Sequence, residues 1–152
     1  MRTQISDMPL KNPAELGARL ELSAHERLLL VDVPPSLALL AGEGRAERTE
    51  TRAIEGKAIR SVKDKYDAVL LWREGRVGSE SLLEAIAKRT EPGGTVWIVI
   101  PLRKMTGLST PAAHRLTLPD LVRAFPPDAW TADREARVSA WHVAHRFLNR
   151  GK

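Results

Sequence analysis

The sequence predicts an α/β domain built on a mostly parallel sheet, with helices on both faces and an antiparallel strand or hairpin at its C-terminal end. Three observations predict it. Continuous apolar runs of strand length stand in "ERLLLVDV" (26–33), "YDAVLLW" (66–72) and "TVWIVIP" (95–101). Runs without alternation mark strands covered on both faces, as in a parallel sheet. Helix-spaced segments lie between them, which is the order of βαβ units. Last, "ARVSAWHVAHRFL" alternates through Trp141, Val143, His145 and Phe147, the period of one or two antiparallel strands.

Each element has its own justification. "NPAELGARLEL" places Leu16 and Leu20 one helical turn apart, with Pro13 suited to a first turn. After the first strand, "PPSLALLAG" puts prolines at a helix start, Leu37 and Leu40 on one face, and Gly42 at the stop. "AERTETRAI" (46–54) reads as a polar edge strand and "GKAIRSVKDK" (56–65) as a helix. "GSESLLEAIAKRTEPGG" is the clearest helix: Ser79 or Ser81 caps it, Leu82, Leu83 and Ile86 share a face, and Pro92-Gly93-Gly94 ends it. "LPDLVRAF" is a short helix with Pro119 in its first turn, and Trp130 lies near a strand start.

Length and composition bound the rest. The 152 residues suit one domain over 1–152, with residues 1–11 expected as a flexible N-terminal extension. A hydrophobic content of 43% with 28% charge separates the chain from disordered sequences. No apolar run approaches the ~20 residues of a membrane span, and the N-terminus lacks a signal-peptide core. A cytoplasmic protein with no membrane partner is therefore expected. The absence of cysteine excludes disulfides and thiolate metal sites. The net charge of +5 sits wholly in the last third, since residues 1–101 balance 15 basic against 15 acidic side chains. That surface is either a solvated basic face or a site for an anion, a protein or nucleic acid.

Tyr66-Asp67 opening a strand, a helix, then Pro92-Gly93-Gly94 feeding a central strand resembles the later half of class I S-adenosylmethionine-dependent methyltransferases. The whole of 12–150 more closely resembles a family of small, uncharacterised bacterial proteins with a shortened methyltransferase-like Rossmann domain. The residues behind that are a glycine-poor first turn, Pro101, Lys104 and Gly107 in "PLRKMTG", and Trp141, Arg146 and Phe147 in "WHVAHRF". The resemblance implies the fold and no established activity.

It also locates a cofactor site and shows where this chain departs from it. Asp32 stands where the larger family has an acid at the end of the first strand. Pro34, Ser36 and Ala38 stand where that family has glycines. Glycine there lets backbone approach the ligand, and proline removes an amide donor. A second acid is expected at the end of the second strand; Glu47, Glu50 and Glu55 have suitable separations, and none is singled out. Asp32, Pro34, Ser36 and Trp72 are thus the residues of a degenerate cofactor site, with Trp72 able to stack on a flat ring or simply to pack.

Open α/β sheets bind ligands at the carboxyl ends of their strands. The central strand ends at Pro101, so Arg103 and Lys104, with Arg146 from the last strand, are the candidate anion-binding residues. His142 and His145, three apart on a strand, face opposite ways, and no metal site is expected. Of the four histidines, only His114 lies on a loop near the ligand edge. No nucleophile-elbow, P-loop or zincin motif occurs. The resulting expectation is a non-catalytic Rossmann-like protein with no cofactor, binding a protein or a small anionic ligand. S-adenosylmethionine is expected not to bind at micromolar concentration. The alternatives are a methyltransferase with an atypical first turn, and a nucleic-acid-binding protein acting through the basic C-terminal third.

Overall fold

The computed structural model describes residues 20–22, 27–34, 50–102, 114–139 and 142–151. Of the segments read as helical from sequence, 12–22 and 34–42, residues 12–19 and 35–42 lie outside the described residues, as do Ser36, Ala38, Arg103, Lys104 and Trp141.

Among the described residues six strands form one sheet: β1 (Arg27–Val31), β2 (Glu50–Ile54), β3 (Tyr66–Trp72), β4 (Thr90–Pro101), β5 (Trp130–Arg137) and β6 (His142–Asn149), in the order β2-β1-β3-β4-β6-β5. β2, β1, β3 and β4 pair in parallel, and β6 runs antiparallel to both β4 and β5. The mixed sheet and its antiparallel end are as the sequence predicts. β1 and β3 are buried along nearly their whole length, while β2 is largely exposed at the edge.

Alternation along the buried strands divides the core in two. Leu29, Val31, Val69, Leu71, Ile98 and Ile100 face one cluster, which is closed by Ile59, by Leu82 and Ile86 of α1 (Ser79–Lys88), and by Leu121 of α2 (Leu118–Ala124). Leu28, Leu30, Leu70, Trp97 and Val99 face the other, together with Leu20 and Leu22. Trp97 is fully buried there, and its indole N–H donates to the Leu20 carbonyl at 3.0 Å. It is a packing residue, with its one polar atom satisfied.

Two sequence expectations need correction. The segment 56–65 forms a short 3-10 helix, Gly56–Ser61, rather than an α-helix. Pro92-Gly93-Gly94 does not end α1, which stops at Lys88. The glycine pair lies inside β4, in a bulge between the pairings Tyr66↔Thr90 and Ala68↔Thr95. Gly93 has φ +83. At Gly94 an added Cβ would stand 2.8 Å from the Glu91 carbonyl oxygen and 3.0 Å from that of Asp67. Glycine is required there because two backbones meet. Tyr66-Asp67 lies at the same, amino end of the sheet, where the Asp67 carboxylate accepts the Arg27 N–H at 2.7 Å.

Candidate functional site

β1 ends at Val31, and its parallel pairing with β2 runs one step further, because the Asp32 N–H donates to the Ile54 carbonyl at 3.0 Å. Asp32 then turns left-handed, with φ 54. Aspartate tolerates that conformation better than most residues, since its short polar chain can bond locally. Here Oδ1 accepts the Gly56 N–H at 2.8 Å, tying the end of β1 to the chain leaving β2. A Cβ on Gly56 would lie 2.5 Å from Asp32 Oδ2. Glycine at 56 therefore makes room for the carboxylate.

Glu55 occupies the first position after β2, beside Asp32 in the sheet. It is exposed, with Lys57 Nζ 3.0 Å from its carboxylate. Two acids thus stand at neighbouring strand ends. Asp32 lines a cleft of about 410 Å³ together with Gly56, Lys57, Ile59, Arg60, Arg73, Gly78, Ser81 and Leu82. That volume falls in the range of small-molecule sites, roughly 300–1,000 Å³. Arg73, the first residue after β3, fixes the far wall. Its Nε donates to the Gly75 carbonyl at 3.2 Å and to Ser79 Oγ at 3.0 Å, and Nη2 donates to the Val77 carbonyl.

A second polar group sits at the ends of β3 and β4 on the opposite side. His142 opens β6 across from Pro101, the last residue of β4, and is only 7% exposed. Its Nε2 lies 2.8 Å from Glu74 Oε2, and its Nδ1 lies 3.0 Å from Ser139 Oγ. The Trp72 ring is 4.7 Å from the imidazole, centroid to centroid.

The structure separates the sequence candidates. Asp32 lines the cleft and Pro34 follows at the same strand end, half-buried. Trp72 packs against the core cluster on the other face, beside His142. Arg146 lies mid-strand opposite Trp97, with Nε and Nη2 on the two Asp133 carboxylate oxygens at 3.0 and 2.6 Å. His114 is exposed, and its carbonyl accepts the Arg76 N–H. Sequence reasoning missed Gly56 as a contact of Asp32, and the Glu74–His142–Ser139 chain. The second was foreseeable in part: a final strand returning beside the central one brings its first residue to the ligand edge.

Similar solved structures identify the architecture. Phosphoethanolamine N-methyltransferase 2 of Haemonchus contortus, solved with phosphomonomethylethanolamine and S-adenosylhomocysteine, superposes with a TM-score of 0.68 at 9% identity, covering 93% of this chain and 38% of that one. An S-adenosylmethionine-dependent methyltransferase from Aquifex aeolicus gives 0.62 at 11%, covering 91% and 94%. The N-methyltransferase NodS of Bradyrhizobium japonicum, bound to S-adenosylhomocysteine, gives 0.56 at 14%, covering 90% and 85%. This is the fold of the S-adenosylmethionine-dependent methyltransferases. The chain spans 38% and 40% of the two Haemonchus chains. No protein-family model and no curated protein matches it.

The expectation of a non-catalytic domain with no cofactor is corrected by this finding. The similar solved proteins named above are methyltransferases, and several structures hold S-adenosylmethionine or S-adenosylhomocysteine. The expectation rested on one turn. Of the residues at its glycine positions only Pro34 lacks an amide donor, while Asp32 and Glu55 stand at the ends of β1 and β2. Among the described residues, no helix is long and apolar enough to cross a membrane.

Proposed function

We propose that this chain is an S-adenosylmethionine-dependent methyltransferase with an atypical first turn. One observation carries the reading: Asp32 and Glu55 stand at adjacent carboxyl ends of β1 and β2, and Asp32 lines a cleft there together with Gly56, whose missing side chain makes room for the Asp32 carboxylate. The donor set fits the group. Glu55 offers an exposed carboxylate, the natural acceptor for a ribose diol. Asp32 keeps a second oxygen beyond the one bound to Gly56, able to accept from an ammonium group or a hydroxyl. Ile59 and Leu82 give the cleft an apolar wall for a base, and Arg73 gives it a cation. When bound, S-adenosylmethionine supplies a methyl group activated on a positively charged sulfur. Asp32 and Glu55 would hold and orient it, and the interlocked turn 73–79 would keep the far wall fixed.

Calorimetry with S-adenosylmethionine and S-adenosylhomocysteine tests the reading. Stoichiometric binding is expected, weakened about tenfold in Glu55→Gln, which corresponds to a loss of about 1.4 kcal/mol. Folded protein that binds neither compound would overturn it.

A further inference from the structure

We propose that Ser139, His142 and Glu74 form a proton relay serving the methyl acceptor, and that the acceptor carries an O–H or N–H group that loses its proton on methylation. The proposal rests on the methyl-transfer reading above. Its own ground is the hydrogen-bond chain at the ends of β3 and β4, where an open α/β sheet has its ligand crevice.

The chain has a direction. A carboxylate only accepts, so His142 Nε2–H donates to Glu74 and this fixes the tautomer. Nδ1 then holds the imidazole lone pair, and it is the atom facing the Ser139 hydroxyl at 3.0 Å. Hydroxyl, base and orienting carboxylate are therefore in sequence. The hairpin does not need this arrangement to close, since the N–H groups of Val138 and Ser139 both donate to the His142 carbonyl, at 3.0 and 3.3 Å. An imidazole only 7% exposed, with both nitrogens engaged, is a costly choice for packing alone. The Trp72 ring packs against the imidazole at 4.7 Å, centroid to centroid, and helps to hold it.

Methylating such an acceptor forms one carbon–oxygen or carbon–nitrogen bond, breaks the sulfur–carbon bond with its electron pair kept by sulfur, and releases one proton. The relay takes that proton: it passes to Ser139 Oγ as the serine's own proton moves to Nδ1. The imidazolium stays paired with Glu74 until water removes the proton. Glu74 is the carboxylate in contact with the ring; register also places Arg137 opposite Val143, and Arg115 is bridged to Gly75. Ser139 is the catalytic residue here, His142 the base behind it, and Glu74 a positioning residue.

The test uses 4-nitrophenol, whose phenolate absorbs apart from its phenol, added to the full chain loaded with S-adenosylhomocysteine. A phenolate beside an imidazolium is favoured, so the ionisation midpoint of bound probe should fall by about 1–3 pH units from that of free probe. The shift should vanish in Ser139→Ala and in His142→Asn, and shrink in Glu74→Gln, with S-adenosylhomocysteine affinity within twofold of the parent. Probe that does not bind, binds with an unshifted midpoint, or shifts equally in Ser139→Ala and His142→Asn overturns the relay. Protein that shifts the probe without binding S-adenosylhomocysteine upholds the relay and overturns the methyl-transfer reading.

Discussion

Gly56→Ala probes the joint between β1 and β2 directly. The new Cβ would lie 2.5 Å from Asp32 Oδ2, where ordinary contact begins at 3.4 Å, so the carboxylate must withdraw by about 0.9 Å. That movement takes Oδ1 out of reach of the Gly56 N–H, now 2.8 Å away. A hydrogen bond to a charged group contributes about 1.5–3 kcal/mol, and the half-buried site argues for the lower end. The better helix propensity of alanine returns only part of this in a short 3-10 helix. A net loss of about 1.5 kcal/mol is expected, close to a 1 M fall in urea midpoint at an m-value near 1.5 kcal/mol/M.

A double-mutant cycle isolates the contact. Asp32→Ala loses the hydrogen bond and sets a plain residue at φ 54, which costs about 1–2 kcal/mol more. Adding Gly56→Ala to it should then cost almost nothing, because the atom that the Cβ would strike is gone. The expected coupling is about 1–2 kcal/mol. Urea melts of the four proteins measure it. Additive losses, or a Gly56→Ala protein as stable as the parent, would refute the claim that Asp32 and Gly56 meet at this joint.

Gly94→Ala should cost more than Gly93→Ala: the first strikes two carbonyl oxygens, while the second meets nothing within 4 Å and carries only the strain of φ +83, about 1–2 kcal/mol. Chemical denaturation ranks them. Asp120 closes a capping box with Thr117 at the start of α2, so Asp120→Ala should lose about 1–2 kcal/mol. Burial pushes the Asp120 carboxyl up, but the Thr117 hydrogen bonds, with Arg76 and Arg123, outweigh it and hold it below its ordinary 3.8. Its contribution should be complete above that value and disappear as pH falls through the lower folded one, which acid titration of parent and variant would show. Burial pulls His145 below its ordinary 6.5 despite the nearby Glu135. The unfolded chain then binds the extra proton, so melting temperature should fall as pH drops below about 6.5, and fall less in His145→Gln. Arg73→Lys keeps the charge and loses the fork on Gly75, Val77 and Ser79; S-adenosylhomocysteine titration and urea melts should show both affinity and stability reduced.

What could be read in the sequence follows from what is local. β1, β3 and the core of β4 announce themselves because burial on both faces leaves no polar position in the run. β5, "WTADREAR", is half-covered, and the reading of residues 136–148 as strand catches only its end. The Gly94 bulge reads as a helix stop because a glycine pair after a helix has the same composition in both roles. At the site, Asp32 is legible from its place after an apolar run. Glu55 is indistinguishable from Glu47 and Glu50 until the pairing of β1 with β2 fixes where β2 ends. Glu74 and His142 are 68 residues apart, and only the order β3-β4-β6 brings them together.

The first turn shows why a missing motif is weaker evidence than it looks. Glycines in such a turn contribute backbone N–H donors, which suit a carboxylate or a phosphate. Pro34 offers none. On the methyl-transfer reading, the side chains of Lys57, Arg60 and Arg73, which line the cleft, would meet the same requirement. Carboxylates recognise the opposite chemistry, ammonium and hydroxyl groups, and both strand-end acids are in place. A zwitterionic ligand needs one set of each kind. On the methyl-transfer reading, loss of the turn's glycines would change how the anionic end of such a ligand is held, and would leave the recognition of its cationic and hydroxyl groups with Asp32 and Glu55.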